Sequence, residues 1–183
     1  MRRLFSHPFD EGRSVKIRIF LALIIISVSA LTSCWFESGA KRVEYVNEEF
    51  GYRISYPSGW SFDELAPETA LDRVDVSPAD SDYKRIQIAV FPKSRFVAMS
   101  SQAIVYALHG YECGKPTALS SKPDVGKWDW KITFEVTCED EGLSGVAAFE
   151  ESGNATYAIT MVHQADDEWP EGEAVIDSFE IVP

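Results

Sequence analysis

Histidine and cysteine are scarce, with three of each in 183 residues. The histidines are His7, His109 and His163. Nothing in the sequence brings a serine or cysteine nucleophile toward His109 or His163. There is no G-x-S-x-G, no H-E-x-x-H and no P-loop, so the local signatures of esterases, zinc proteases and nucleotide binding are missing. A Ser/His/Asp triad assembles only in the fold, but with no motif to support one the chain reads as a non-enzyme. No C-x-x-C occurs, which removes the usual redox signature. Positive charge is also short. Lys and Arg total 17 against 29 Asp and Glu, a net −12. Such a surface repels nucleic acid and anionic headgroups. Cations, basic proteins and neutral ligands remain as partners. Repeats and low-complexity tracts are absent, and 45% apolar residues with 13% aromatics argue for a packed domain.

One long apolar run is present, Ile19–Cys34. A basic stretch, Met1–Arg18, precedes its 13-residue core Ile19–Leu31. That core suits an export signal and is short for a membrane span. Leu31-Thr32-Ser33-Cys34 then resembles the lipobox of bacterial lipoproteins, an aliphatic residue and two small ones before an obligatory cysteine. The cysteine sulfur accepts a diacylglyceryl group, and small side chains admit the peptidase. The expected layout is a signal peptide over 1–33, a lipidated Cys34 with a tether over 34–42, and a domain over 43–183. Residues 1–33 hold five basic and two acidic residues, a net +3, so the part from Cys34 onward carries −15. The competing reading is an uncleaved anchor helix over Val15–Ser33. The expected location is lipid-anchored in a cell membrane or outer membrane, facing the periplasm or exterior.

From Val43 the chain alternates in short runs. Val43–Val46 and Tyr52–Tyr56 read as a hairpin, broken by Pro57-Ser58-Gly59. Trp60 and Phe62 follow, folded back on the core. Arg73–Ser77 and Lys84–Phe91 read as strands, with Asp80-Ser81-Asp82 as their turn. Val97–His109 shifts to a helical period, with Ser100 or Ser101 as its N-cap and Gly110 as its stop. Lys127–Thr137 places Trp128, Trp130, Ile132, Phe134 and Val136 on one strand face. Leu143–Glu150 and Thr156–His163 form a hairpin about Ser152-Gly153-Asn154. A short helix over Glu171–Asp177 and a strand over Phe179–Val182 end the chain.

The opening Phe50-Gly51-Tyr52-Arg53-Ile54-Ser55-Tyr56-Pro57-Ser58-Gly59-Trp60 resembles that of PsbP-like domains. So does the ending, Ile176-Asp177-Ser178-Phe179-Glu180-Ile181. That superfamily includes the PsbP proteins of photosystem II, the Ran-binding Mog proteins and many bacterial lipoproteins. The resemblance implies an α+β fold. Its core is a central antiparallel sheet of about six to eight strands, with helices packed on both faces. It also implies a non-catalytic interaction or accessory role with a protein partner in the cell envelope. No ligand motif comes with it, and no cofactor or metal is assigned.

With Cys34 given to lipid, Cys113 and Cys138 form an even pair, which in an exported domain suggests a disulfide; two separate thiols are the alternative. Asp80/Asp82, Glu139-Asp140-Glu141 and Asp166-Asp167-Glu168 are acidic clusters. They suit a hard cation in type but lack EF-hand spacing, and read as solvated loops. Trp128 and Trp130 read as core. With Trp60 they would otherwise line a ligand cleft, and a carrier or sensor of a small apolar ligand is the second functional reading.

Overall fold

The computed structural model describes residues 41–93, 96–123 and 126–182. The signal segment 1–33, Cys34 and the tether as far as residue 40 lie outside the described residues.

β1 (Arg42–Asn47) and β2 (Tyr52–Pro57) form the expected antiparallel hairpin, Arg42 opposite Pro57 and Asn47 opposite Tyr52. The short β10 (Glu180–Ile181) pairs with the other edge of β2. The larger sheet has seven antiparallel strands. In chain order these are β3 (Trp60–Glu64), β4 (Asp72–Pro78), β5 (Arg85–Pro92), β6 (Thr117–Pro123), β7 (Trp130–Cys138), β8 (Glu141–Ser152) and β9 (Ala155–Gln164). In space they run β3-β4-β5-β9-β8-β7-β6. Helix α1 (Phe96–Ala107) links β5 to β6, and α2 (Pro170–Ser178) links β9 to β10.

Side-chain alternation explains the layers. Ile132, Phe134, Val136 and Cys138 of β7 are buried, while the residues between them are less so, as period two requires. β5 and β9 lie inside the sheet and are covered on both faces, so they are buried almost throughout. One face of the sheet packs under α1, with Phe91, Ala103, Phe134, Phe149 and Val162 in its core. The other face packs under β1, β2 and α2, with Ile54, Val74, Ile88, Ile159 and Phe179. Each such fully buried Val, Ile or Phe side chain contributes about 1.5–3 kcal/mol. A helix therefore covers each face, α1 against β5, β8 and β9, and α2 against β2, β5 and β9.

Three local expectations change. α1 begins at Phe96, so Ser100 and Ser101 lie inside it and do not cap it. Trp128 precedes β7 and leaves the face of Ile132 for the opposite core, where its ring stacks on Phe179 at 5.7 Å. β3 and β6 are additional strands. Gly110, with φ +89°, does supply the left-handed turn after the helix.

Candidate functional site

The turns at one end of the large sheet build a cleft of about 440 Å³. Trp60 opens β3 opposite Pro78 of β4. The β4–β5 loop contributes Asp80 and Lys84, the segment after β9 contributes Asp167 and Trp169, and the first turn of α2 contributes Glu171. The Trp60 and Trp169 rings stack with centroids 5.2 Å apart. Trp169 is only 4% exposed. Gly172 makes room for it, since a Cβ there would stand 2.5 Å from the indole. The Lys84 ammonium lies 2.7 Å from Asp167 Oδ2 and 6.0 Å from the Trp169 ring centre.

A neighbouring cleft of about 420 Å³ shares Gln164 and Asp167 and adds Glu141, Gly142 and Asp166. The three acidic clusters that read as separate solvated loops thus contribute residues to one surface. Antiparallel pairing brings them together: the start of β5, the end of β9 and the start of β8 lie at the same end of adjacent strands. Among the described residues, no group of three His, Cys, Asp or Glu is placed to hold a metal ion.

A second kind of cleft, about 300 Å³, lies between α1 and the β6–β7 edge. Ile104, Val105, Pro116, Ala118, Ile132 and Phe134 make it largely apolar. Val105 and nearby Leu119 are more than half exposed.

Beneath α1 sits a buried polar network. Arg73, 2% exposed, lies 4.0 Å from the Tyr106 ring centre and donates to Ala66 O and Glu68 Oε1. Gln87 Nε2 donates to Asp75 Oδ1 at 2.7 Å and to Tyr106 O at 3.1 Å. Burial pushes the Asp75 carboxyl above its usual range, against the Gln87 hydrogen bond and the Arg85 and Arg73 charges. The network joins β4 and β5 to the helix, and its position under α1 makes it a packing feature. On the other face, Tyr52 Oη donates to Asp72 Oδ2 at 2.6 Å, and burial first, then that bond, push its phenol far up.

Cys113 and Cys138 are joined, with Cα atoms 4.0 Å apart. The carbonyl of His109 accepts from Arg85 Nη1, and the ring of His163 pairs with Gln164 O. Among the described residues, neither imidazole hydrogen-bonds a serine or cysteine side chain. Trp169, Lys84 and Glu171 had no motif to mark them; only the pairing of distant strands places them beside Trp60.

No protein-family model matches the sequence, and no curated protein matches it. Solved structures do match. The solution structure of cyanobacterial PsbP (CyanoP) from Synechocystis aligns over 81% of this chain and 96% of that one, with TM-score 0.56 and 13% identity. A crystal structure from Bacteroides thetaiotaomicron aligns over 76% of this chain and 48% of that one, with TM-score 0.52 and 16% identity. This chain thus spans about half of that protein. The Ran-binding protein Mog1p of Saccharomyces cerevisiae aligns at a TM-score of 0.46 and 13% identity, over 78% of this chain and 96% of that one. The class is an α+β domain whose antiparallel sheet is covered by helices on both faces. Within that class the topology is the PsbP-like fold, and at these identities the likeness is one of fold. No helix of the described residues is long and apolar enough to cross a membrane.

Proposed function

We propose that this chain is a lipid-anchored protein of the bacterial cell envelope, held through Cys34. Its PsbP-like domain is then a non-catalytic module that binds a protein partner. The anchor rests on the basic stretch, the apolar core and the Leu31–Cys34 pattern. Two or more acyl chains, at about 0.8 kcal/mol per buried CH₂, make such attachment stable. The interaction reading is carried by one observation: carboxylates from three loops line two adjoining open clefts beside the Trp60–Trp169 stack. Aromatic anchors in a polar rim are the usual energetic centre of a protein interface.

A photo-crosslinking residue at Ser81, on the rim of that cleft, tests this in intact cells. A discrete protein adduct is expected there, and none from the same residue at Glu48 in the β1–β2 turn. The absence of any adduct from Ser81 overturns the reading. For the anchor, Cys34→Ala should abolish fatty-acid labelling and precursor processing; unchanged labelling and processing rule it out.

The apolar cleft under α1 favours a second reading, a carrier or sensor of a small apolar ligand. Its 300 Å³ is at the low end for a small-molecule site. Native mass spectrometry of the purified chain would then show a bound apolar molecule that Ile104→Trp displaces.

A further inference from the structure

The two acidic clefts share Gln164 and Asp167 and so form one furrow across the end of the sheet. Asp80, Glu141, Asp166, Asp167 and Glu171 line it against the ammonium of Lys84, a net −4. The carboxylates are spread along the furrow and do not converge on a point, since no set of three among the described residues is placed to hold a metal ion. Negative charge distributed in this way attracts several cationic groups at intervals.

Two further features point to the kind of cation. The furrow has an aromatic floor in the Trp60–Trp169 stack. Lys84 already holds its ammonium between the Asp167 carboxylate and the Trp169 ring, so the walls accommodate a cation between an anion and an indole. A planar guanidinium suits such a setting better than an ammonium, because it can stack on the half-buried Trp60 ring while its N–H groups reach carboxylates. Trp169 also keeps a donor in hand. Its ring is 96% buried and lines the cleft, while its indole N–H has no protein acceptor among the described residues and is not sealed from solvent. A carbonyl of a bound chain would satisfy it.

The geometry points to this furrow as the docking site for an arginine-bearing, positively charged segment of a partner protein. The inference rests on the interaction reading above and adds the chemistry of the partner. The furrow prefers arginine to lysine, and it reads the spacing of positive charges along an extended chain.

The test uses the full chain in detergent and labelled oligo-arginine, oligo-lysine and glycine–serine peptides of equal length, followed by fluorescence anisotropy. Oligo-arginine should bind more tightly than oligo-lysine, and the neutral peptide should not bind. Asp80→Lys with Glu171→Lys, both at exposed positions, should weaken oligo-arginine by about tenfold or more, since each reversal removes an attraction and adds a repulsion. Glu48→Lys with Glu49→Lys changes the net charge equally at a distant turn, and should weaken it by no more than about threefold through the screened long-range field. Trp60→Leu should remove the preference for arginine while leaving oligo-lysine binding unchanged. Equal weakening by the two double variants overturns the inference, because the attraction is then net charge alone. In cells, an adduct from Ser81 that survives Asp80→Lys with Glu171→Lys overturns the cationic partner and leaves the interaction reading standing. Loss of that adduct in the double variant, with circular dichroism unchanged, supports both.

Discussion

Replacing Cys113 and Cys138 together by alanine should lower the melting temperature by about 12 °C. The bridge closes a loop of sequence separation 25, running from the segment after α1 through β6 to the last residue of β7. Cross-linking a loop of that length removes about 12 cal/mol/K from the unfolded chain, or about 3.5 kcal/mol at room temperature. A domain of about 140 residues unfolds with an entropy of about 300 cal/mol/K near its midpoint, which converts the loss to about 12 °C. The native state itself should change little. Backbone bonds flank the bridge on both sides, Gly114 N to Thr137 O at 2.9 Å and Glu139 N to Glu112 O at 3.0 Å. Cys138 is fully buried beside Val136 and Leu143, and alanine keeps its Cβ there. The measurement is thermal unfolding by circular dichroism of the full chain, for wild type, reduced wild type and the double variant. Reduced wild type and the variant should agree. A shift below about 3 °C would refute the chain-entropy argument. Alkylation of both thiols in unreduced protein, read by mass, would refute the bridge itself.

Two other expectations concern the core. Gly145→Ala should destabilise by about 1–3 kcal/mol in urea titration, because the added Cβ would meet the Phe134 ring at 2.3 Å and the Met161 carbonyl at 2.6 Å; an unchanged midpoint would mean that β7 and β9 yield more easily than their pairing suggests. Asp75, raised by burial, binds its proton more tightly in the folded than in the unfolded chain. Its contribution to stability therefore falls as pH rises from the ordinary carboxylate range through the raised value. Asp75→Asn should flatten that part of the curve of stability against pH, and a carboxyl carbon titrating below the ordinary range would contradict the assignment.

How much of this was readable without coordinates depended on whether a residue's place is set by its neighbours in sequence. β7 was, because Ile132, Phe134 and Val136 repeat at period two beside a fully covered core. The β8–β9 hairpin was as well, since Gly153 with φ +58° lets a two-residue turn place Ser152 opposite Ala155. β6 was not. It is exposed along its whole length at the sheet edge, so it carries no apolar alternation, and its register comes from β7 and from an irregularity between Ala118 and Ser120. Trp128 misled for another reason. The strand period continues back to it in sequence, but the chain turns before β7 begins, and the stack on Phe179 draws the ring to the other core. The furrow was the least readable feature. Asp80, Glu141 and Asp166 are visible as acidic residues, but their proximity requires knowing that β5 pairs with β9 and β9 with β8.

That pairing also explains why an excess of negative charge becomes a located feature. In an antiparallel sheet alternate loops share an end, so the β4–β5, β7–β8 and β9–α2 loops fall together while the β8–β9 turn falls at the other end. At that other end Lys93 pairs with Glu151 at 2.9 Å, so part of the charge is compensated. At the furrow Lys84 pairs with Asp167, while Asp80, Glu141, Asp166 and Glu171 form no ion pair among the described residues. β5 and β9, which position these loops, are buried on both faces and cannot themselves meet a partner. The centre of the sheet is therefore closed to a partner, and the loop ends, the sheet edges and the outer sides of the covering elements are what it can meet. Of the loop ends, the acidic one combines uncompensated charge with an aromatic stack, and that combination, not the net charge of the chain, is what would select a partner.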